Sequence, residues 1–169
     1  MALSAPEPIN GHHDLSHFAC GKPSLDIWLR ERALSNQQKG FTAVMVVHDR
    51  GLVVGYYGLA PTAVIPSILP RSVRTGLPPD PVPCLLLGQL ATDHRRAGQG
   101  IGTGLLKHAL ARCISAATLI GGRALMVNAI DEDAALFWSR RGFTPLKGDP
   151  MTLFRSIADI AASIAAQES

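Results

Sequence analysis

Leu85-Leu86-Leu87-Gly88-Gln89-Leu90-Ala91-Thr92-Asp93-His94-Arg95-Arg96-Ala97-Gly98-Gln99-Gly100-Ile101-Gly102-Thr103-Gly104-Leu105-Leu106 decides how this chain folds. Its first eight residues are apolar nearly throughout, the pattern of a strand buried on both faces, which predicts a central place in a sheet. Residues 93–104 are polar and then glycine-rich. Leu105, Leu106, Ala109, Leu110, Cys113 and Ile114 follow at spacings of three and four, one face of an amphipathic helix. A buried strand thus runs into a glycine-rich turn that opens a helix, so unpaired backbone N–H groups and the positive helix end converge on one spot. That spot suits a phosphate. Glycine lets the backbone approach closely and adopt positive φ, and Arg95 and Arg96 are expected to add charge.

Two common phosphate motifs do not fit. The Walker A pattern needs a lysine and a hydroxyl residue where Thr103 and Gly104 follow Gly102. The Rossmann GxGxxG starting at Gly98 and Gly100 needs a glycine at Thr103. What remains is Arg-x-x-Gly-x-Gly, from Arg95 to Gly100.

Outward from this stretch, Leu25, Trp28, Leu29 and Ala33 stand at helical spacing with Ser24 as expected N-cap. Residues 41–47 and 52–60 read as strands joined by turn residues Asp49-Arg50-Gly51 into a hairpin. Seven of the twelve prolines fall within residues 61–83, which predicts a long connection there. Downstream, Gly121-Gly122 should end the helix, residues 123–129 form a strand, and Asp131 cap a helix that stops at Gly142. Short strands at 143–146 and 151–155 precede a last helix opened by Ser156-Ile157-Ala158-Asp159. Alternating strands and helices make the class α/β or α+β.

The 169 residues fit one domain, 1–169. Hydrophobic residues make up 47% and charged residues 17%, which excludes a disordered or solvating chain. A net charge of +3 is a mild bias towards anions, with no separate basic arm. Cys20, Cys84 and Cys113 are odd in number and widely spaced, so a disulfide framework and a zinc ribbon are not expected. No apolar run reaches the ~18 residues of a membrane span and no secretory signal is visible, so a cytoplasmic, reduced protein is expected.

Five separated motifs carry a resemblance. They are Phe18-Ala19-Cys20-Gly21-Lys22-Pro23-Ser24-Leu25-Asp26-Ile27-Trp28-Leu29, Val54-Gly55-Tyr56-Tyr57-Gly58-Leu59-Ala60, Pro79-Asp80-Pro81-Val82-Pro83, the 86–106 stretch, and Ala135-Leu136-Phe137-Trp138-Ser139-Arg140-Arg141-Gly142-Phe143. In this order they resemble the GNAT acetyltransferases and, more narrowly, the GNAT toxins of type II toxin-antitoxin modules. The resemblance implies a mixed central sheet flanked by helices and splayed to form an acetyl-CoA slot. It implies acetyl transfer to the α-amino group of aminoacyl-tRNA, a ribbon-helix-helix antitoxin, contact with operator DNA only through that antitoxin, and a homodimer. It also implies that Leu90, Ala91 and Thr92 face the acetyl and pantetheine arm. Arg95, Arg96, Ala97, Gly98, Gln99, Gly100 and Gly102 would cradle the pyrophosphate, and Asn128 and Phe137 would flank the cofactor.

In the family motif, the second member of the aromatic pair before the final Gly-Phe is commonly a tyrosine that protonates the departing thiolate. Here it is Trp138, whose indole N–H is no practical proton donor near neutral pH. Three readings stay open. Tyr56, Tyr57 or a water supplies the proton; catalysis rests on proximity, since an α-amino group is partly neutral near pH 8; or the chain binds CoA with attenuated or no turnover. Acetylation of a small-molecule or protein amine is the alternative within enzymes.

His13-x-x-x-His17-x-x-Cys20 has ligand-like spacing but no second cluster to complete a metal site, so no metal is expected. Arg71, Arg74, Arg140 and Arg141 are the basic residues expected to meet tRNA phosphates, with Arg30, Arg32, Lys39, Arg95 and Arg96 as further members of such a face.

Overall fold

The computed structural model describes residues 3–168. Its strands are β1 (Glu7–Pro8), β2 (Ala43–Asp49), β3 (Leu52–Val64), β4 (Val82–Thr92), β5 (Ala124–Asn128), β6 (Thr144–Leu146) and β7 (Asp149–Ser156), in the sheet order β1-β2-β3-β4-β5-β7-β6. Its helices are α1 (Pro23–Trp28), α2 (Leu34–Lys39), α3 (Arg71–Arg74), α4 (Ile101–Ile120), α5 (Glu132–Ser139) and α6 (Ile157–Glu168). β4 and β5 run parallel, and the β1–β2, β2–β3, β5–β7 and β6–β7 pairs run antiparallel. The mixed α/β architecture and the central place of β4 are as the sequence predicts. Among the described residues no helix is long and apolar enough to cross a membrane. The chain divides into two compact units, one made of residues up to Ala60 with Gly88–Ala109, the other of Pro61–Leu87 with residues from Leu110 onward.

In the first unit the β2–β3 hairpin turns through Arg50 and Gly51, both at positive φ (53° and 90°), a pairing that matches the twist of the strands. α1 corrects the sequence reading at its start. Pro23 holds the first helical turn, Lys22 stands at the cap without a side-chain bond, and Ser24 lies inside the helix. Proline suits that position because its missing N–H would have had no partner. Asp26 instead turns back to accept the Cys20 N–H at 2.9 Å. The helix continues through a π-helical turn, Leu29–Ala33, into α2, and Gly40 ends it at φ 79°. Phe18, Leu29, Ala33, Val44, Val46, Val53, Tyr56 and Ala91 form the core of this unit.

The second unit has its core at Leu69, Val73, Val82, Cys84, Ala124 and Phe154. The prolines break the chain over a shorter span than expected. β3 passes through the exposed Pro61 to Val64, and β4 includes the exposed Pro83 near its start, so the connection is residues 65–81. Arg123 ties that connection down, donating to the carbonyls of Val73 and Thr75 at 3.0 Å each. The Asp131 carboxylate caps α5 through the Ala134 N–H at 2.8 Å, and Gly142 follows α5 at φ 86°. Ser156 Oγ accepts the Asp159 N–H at 3.1 Å and opens α6.

Candidate active site

β4 ends in a set of bonds that fixes the start of the glycine-rich turn. The Asp93 N–H donates to the Val54 carbonyl at 2.8 Å, and Asp93 is only 2% exposed. Its carboxylate accepts the backbone N–H of Arg95 (2.9 Å), Arg95 Nε (2.9 Å), Arg95 Nη2 (2.7 Å) and the Ala19 N–H (3.3 Å). The Arg95 fork holds the Asp93 carboxyl well below the usual carboxylate range, at about 2. Arg95 also donates to the His17 carbonyl, and the His94 N–H to the Ala19 carbonyl. Arg96 pairs with Asp49 at 2.7 Å. Arg95 and Arg96, expected to serve a phosphate, thus also hold carboxylates beside the turn. Each guanidinium is engaged by a carboxylate of its own unit, and together they anchor the turn.

The turn itself fits an anion through its backbone. Gly98 and Gly100 both sit at φ 80°, and a Cβ on either would meet nothing within 4 Å. Ala97 and Gln99 are exposed beside them. Gly102 lies in the first turn of α4, where a Cβ would come to 3.3 Å from Thr92 Oγ1. The first N–H groups of α4 have no intrahelical acceptor and point out of its start. Open space, positive φ and a helix N-terminus at one place fit the pyrophosphate of coenzyme A. Leu90 and Thr92 are half-buried, and Ala91 packs into the core of the first unit. The β4–β5 ladder registers Leu85–Leu87 against Leu125–Val127, while β4 itself continues to Thr92.

The two tyrosines of β3 point to opposite faces. Tyr56 is fully buried, edge-on to Phe18 at 5.6 Å and stacked on Trp28 at 5.9 Å between ring centroids. Its hydroxyl donates to the Leu25 carbonyl at 2.7 Å, and burial pushes its pKa up. This corrects the expectation of a proton donor: the Tyr56 hydroxyl hydrogen is committed to Leu25 and anchors α1. Tyr57 is equally buried, and its hydroxyl lies 2.6 Å from His108 Nδ1 on α4. A cavity of about 240 Å³ lined by Val47, Gly100, Ile101, Leu105 and His108, among others, adjoins the first turns of α4.

In the second unit Trp138 is 6% exposed and packs edge-on against Phe137 and Phe143 at 4.9 and 5.1 Å. Arg141 lies over the Phe137 ring at 3.5 Å and donates to the Phe137 carbonyl. Asn128 is exposed at the end of β5, and its Oδ1 accepts from Thr152 Oγ1 at 3.3 Å. Arg71 and Arg140 are exposed and Arg74 half-buried; no ion pair is recorded for these three among the described residues.

Sequence reading missed Asp93, whose role depends on Ala19, 74 residues away. It also gave no sign that Glu7 and His48 stand beside His13. His13 Nε2 and His48 Nε2 lie 2.8 and 2.9 Å from Glu7 Oε1, while His17 faces Asp14. Nδ1 of His13 accepts the Asn10 N–H and Nδ1 of His48 the Gly51 N–H, both at 3.0 Å. Both imidazoles are therefore Nε2–H donors to one carboxylate oxygen, which joins β1 to β2. Cys84 and Cys113 are buried, and burial pushes the Cys113 thiol up to about 12.

The Acetyltransferase (GNAT) family model matches residues 11–143. A tRNA-acetylating toxin of Mycobacterium tuberculosis (strain ATCC 25618 / H37Rv) is 40% identical over 161 residues, spanning 95% of this chain and 96% of its own. The solved structure of AtaT complexed with acetyl-methionyl-tRNAfMet matches with a TM-score of 0.86 at 28% identity, over 96% of this chain and 99% of that one. A tyrosine-to-phenylalanine variant of AtaT, bound to acetyl-CoA and the C-terminus of the antitoxin AtaR, matches with a TM-score of 0.81 at 27% identity over 98% and 99%. A glycine turn with open space around it and a helix N-terminus beside it, at the end of a central strand, is thus found in a chain that belongs to the GNAT acetyltransferase family.

Proposed function

We propose that this chain is an acetyl-CoA-dependent N-acetyltransferase and a toxin, transferring acetyl to the α-amino group of aminoacyl-tRNA. The single observation that carries this reading is the 40% identity, over 95% of the chain, to a tRNA-acetylating toxin. Residues 1–169 act as one acetyltransferase domain, in the cytoplasm and as a homodimer. A ribbon-helix-helix antitoxin restrains it and mediates any contact with operator DNA.

Gly98, Gly100 and Gly102 with the start of α4 hold the pyrophosphate through backbone N–H groups, and Leu90, Ala91 and Thr92 face the acyl arm. When bound, acetyl-CoA supplies the acetyl group as an activated thioester. A backbone N–H of the 90–92 segment polarises the carbonyl, an oxyanion-type contribution. With Tyr56 committed to Leu25, two sources of catalysis remain: a proton from Tyr57 or a water, and proximity of an amine already partly neutral. Trp138 packs between Phe137 and Phe143. Arg71, Arg74 and Arg140 face the tRNA, while Arg141 braces Phe137.

Labelled acetyl-CoA incubated with charged tRNAs, the same tRNAs deacylated, and free amino acids tests the reading. Label on charged tRNA alone is expected. A protein that binds acetyl-CoA and labels none of them overturns it and favours a binder without turnover.

A further inference from the structure

β3 alternates its neighbours strictly through Gly55-Tyr56-Tyr57-Gly58. Residues 55 and 57 meet α4, and residues 56 and 58 meet the face that carries Trp28. At Gly58 the approach is very close. A Cβ there would lie 2.5 Å from Gln89 Oε1, 3.1 Å from Thr42 Cγ2 and 3.5 Å from Trp28 Cη2. The Gln89 amide therefore lies across β3 in space that only glycine leaves open. Gln89 is half-buried, and among the described residues no hydrogen bond of its amide to the protein is recorded. A primary amide offers two donors and an acceptor, and since no side-chain polar atom among the described residues is both buried and without a partner, the Gln89 amide reaches solvent, where its donors and acceptor are open to a ligand. Thr42 turns its methyl carbon to this place while its hydroxyl accepts a weak bond from Asn36, and the Trp28 ring closes the other side, so the Gln89 amide is the polar group there.

Gln89 immediately precedes Leu90 on β4. We propose that Gln89 is a specificity residue that reads the α-amino ester of the acceptor. Oε1 accepts one N–H of the attacking amine, and the amide N–H₂ donates to the ester carbonyl of the same aminoacyl group. The two polar atoms of the amide stand side by side, as do the amine and carbonyl of an aminoacyl ester. A simple alkylamine, such as a lysine side chain, can satisfy only the first bond. Gly58 keeps the amide in place by leaving out a methyl group. The inference rests on the aminoacyl-tRNA reading above.

The test measures acetyl transfer to charged tRNA and to a simple alkylamine by the wild type, Gln89→Leu, Gly58→Ala and the double variant. The KM for acetyl-CoA is measured beside it, with the difference in Kd between deacylated tRNA and tRNA carrying an amide-linked aminoacyl end. Gln89→Leu is expected to lower kcat/KM for charged tRNA roughly 10- to 100-fold. It should leave the acetyl-CoA KM within about twofold and abolish the Kd preference for the aminoacyl end. Gly58→Ala should act in the same direction because its methyl expels the amide, and the double variant should be no worse than the stronger single one. A Gln89→Leu protein that transfers to charged tRNA within threefold of wild type overturns the inference, as does one that loses both acceptors equally. A wild type that transfers to the alkylamine but not to charged tRNA overturns the aminoacyl-tRNA reading itself, and this inference with it.

Discussion

Two glycine-bearing regions of this molecule use the residue for opposite reasons. In the turn before α4, Gly98 and Gly100 have open space around the position of a Cβ and backbone angles that side chains resist, φ 80° at both. In β3, Gly55 and Gly58 lie outside the left-handed region, yet a Cβ on either would collide with a neighbour, at 2.8 Å from Ile101 Cγ2 and Leu105 Cδ1 for Gly55. One region needs a conformation, the other an approach. The approach at Gly55 seats the first turns of α4 on β3, and that seat fixes where the helix N-terminus stands. The glycine turn before α4 is therefore positioned by a glycine, Gly55, that is not part of it.

The comparison breaks most visibly at Gly55. Gly55→Val adds three carbons where even one collides with two α4 side chains, and overpacking of this kind costs about 3 kcal/mol. For a chain of this size that corresponds to a fall of roughly 6–12 °C in Tm. Differential scanning calorimetry checks it, and an unchanged Tm would show that α4 does not depend on the approach.

Asp93 comes next, because it holds the turn from the strand side. Its carboxyl is held at about 2 in the folded chain against an ordinary 3.8, so it favours the folded state by about 2 kcal/mol at neutral pH. A carboxyl with a lowered folded pKa contributes fully above its unfolded pKa. That contribution fades as pH falls from about 4 towards 2. Asp93→Asn should lower the urea midpoint at pH 7 and flatten the loss of stability across that acid range. A variant with an unchanged midpoint and the wild-type acid slope would show that Arg95 finds an equivalent partner.

The same contrast explains what is legible in the sequence alone. A turn glycine acts through its own backbone, so the 98–102 pattern announces itself locally, and so do the Asp131 cap and the Gly142 stop. A strand glycine acts through residues that folding brings to it. Nothing near Gly55 in the chain names Ile101 or Leu105, and nothing near Gly58 names Gln89. The carboxylate partners of Arg95 and Arg96 are hidden from the sequence for a related reason. A guanidinium beside a glycine turn reads only as a ligand group until the buried carboxylate of Asp93 and the half-buried one of Asp49 are placed beside it. Tyr56 likewise looked available as a proton donor until the Leu25 carbonyl was found at its hydroxyl.

The finest distinction lies at Gly98. If the turn needs only a left-handed backbone, side-chain size is irrelevant there and the substituent's tolerance of positive φ decides the outcome. Gly98→Ala should cost about 1 kcal/mol, from the clash of Cβ with the neighbouring carbonyl in that region. Gly98→Asn adds a larger side chain into the same open space, but asparagine tolerates positive φ through local hydrogen bonding, so it should cost less than the alanine variant. Both should keep acetyl transfer, with the KM for acetyl-CoA rising more in Gly98→Ala than in Gly98→Asn. Urea midpoints and acetyl-CoA titrations of the two variants decide it. If asparagine proves the worse substitution, space rather than conformation limits the turn, and the division between the two glycine regions fails where the cofactor binds.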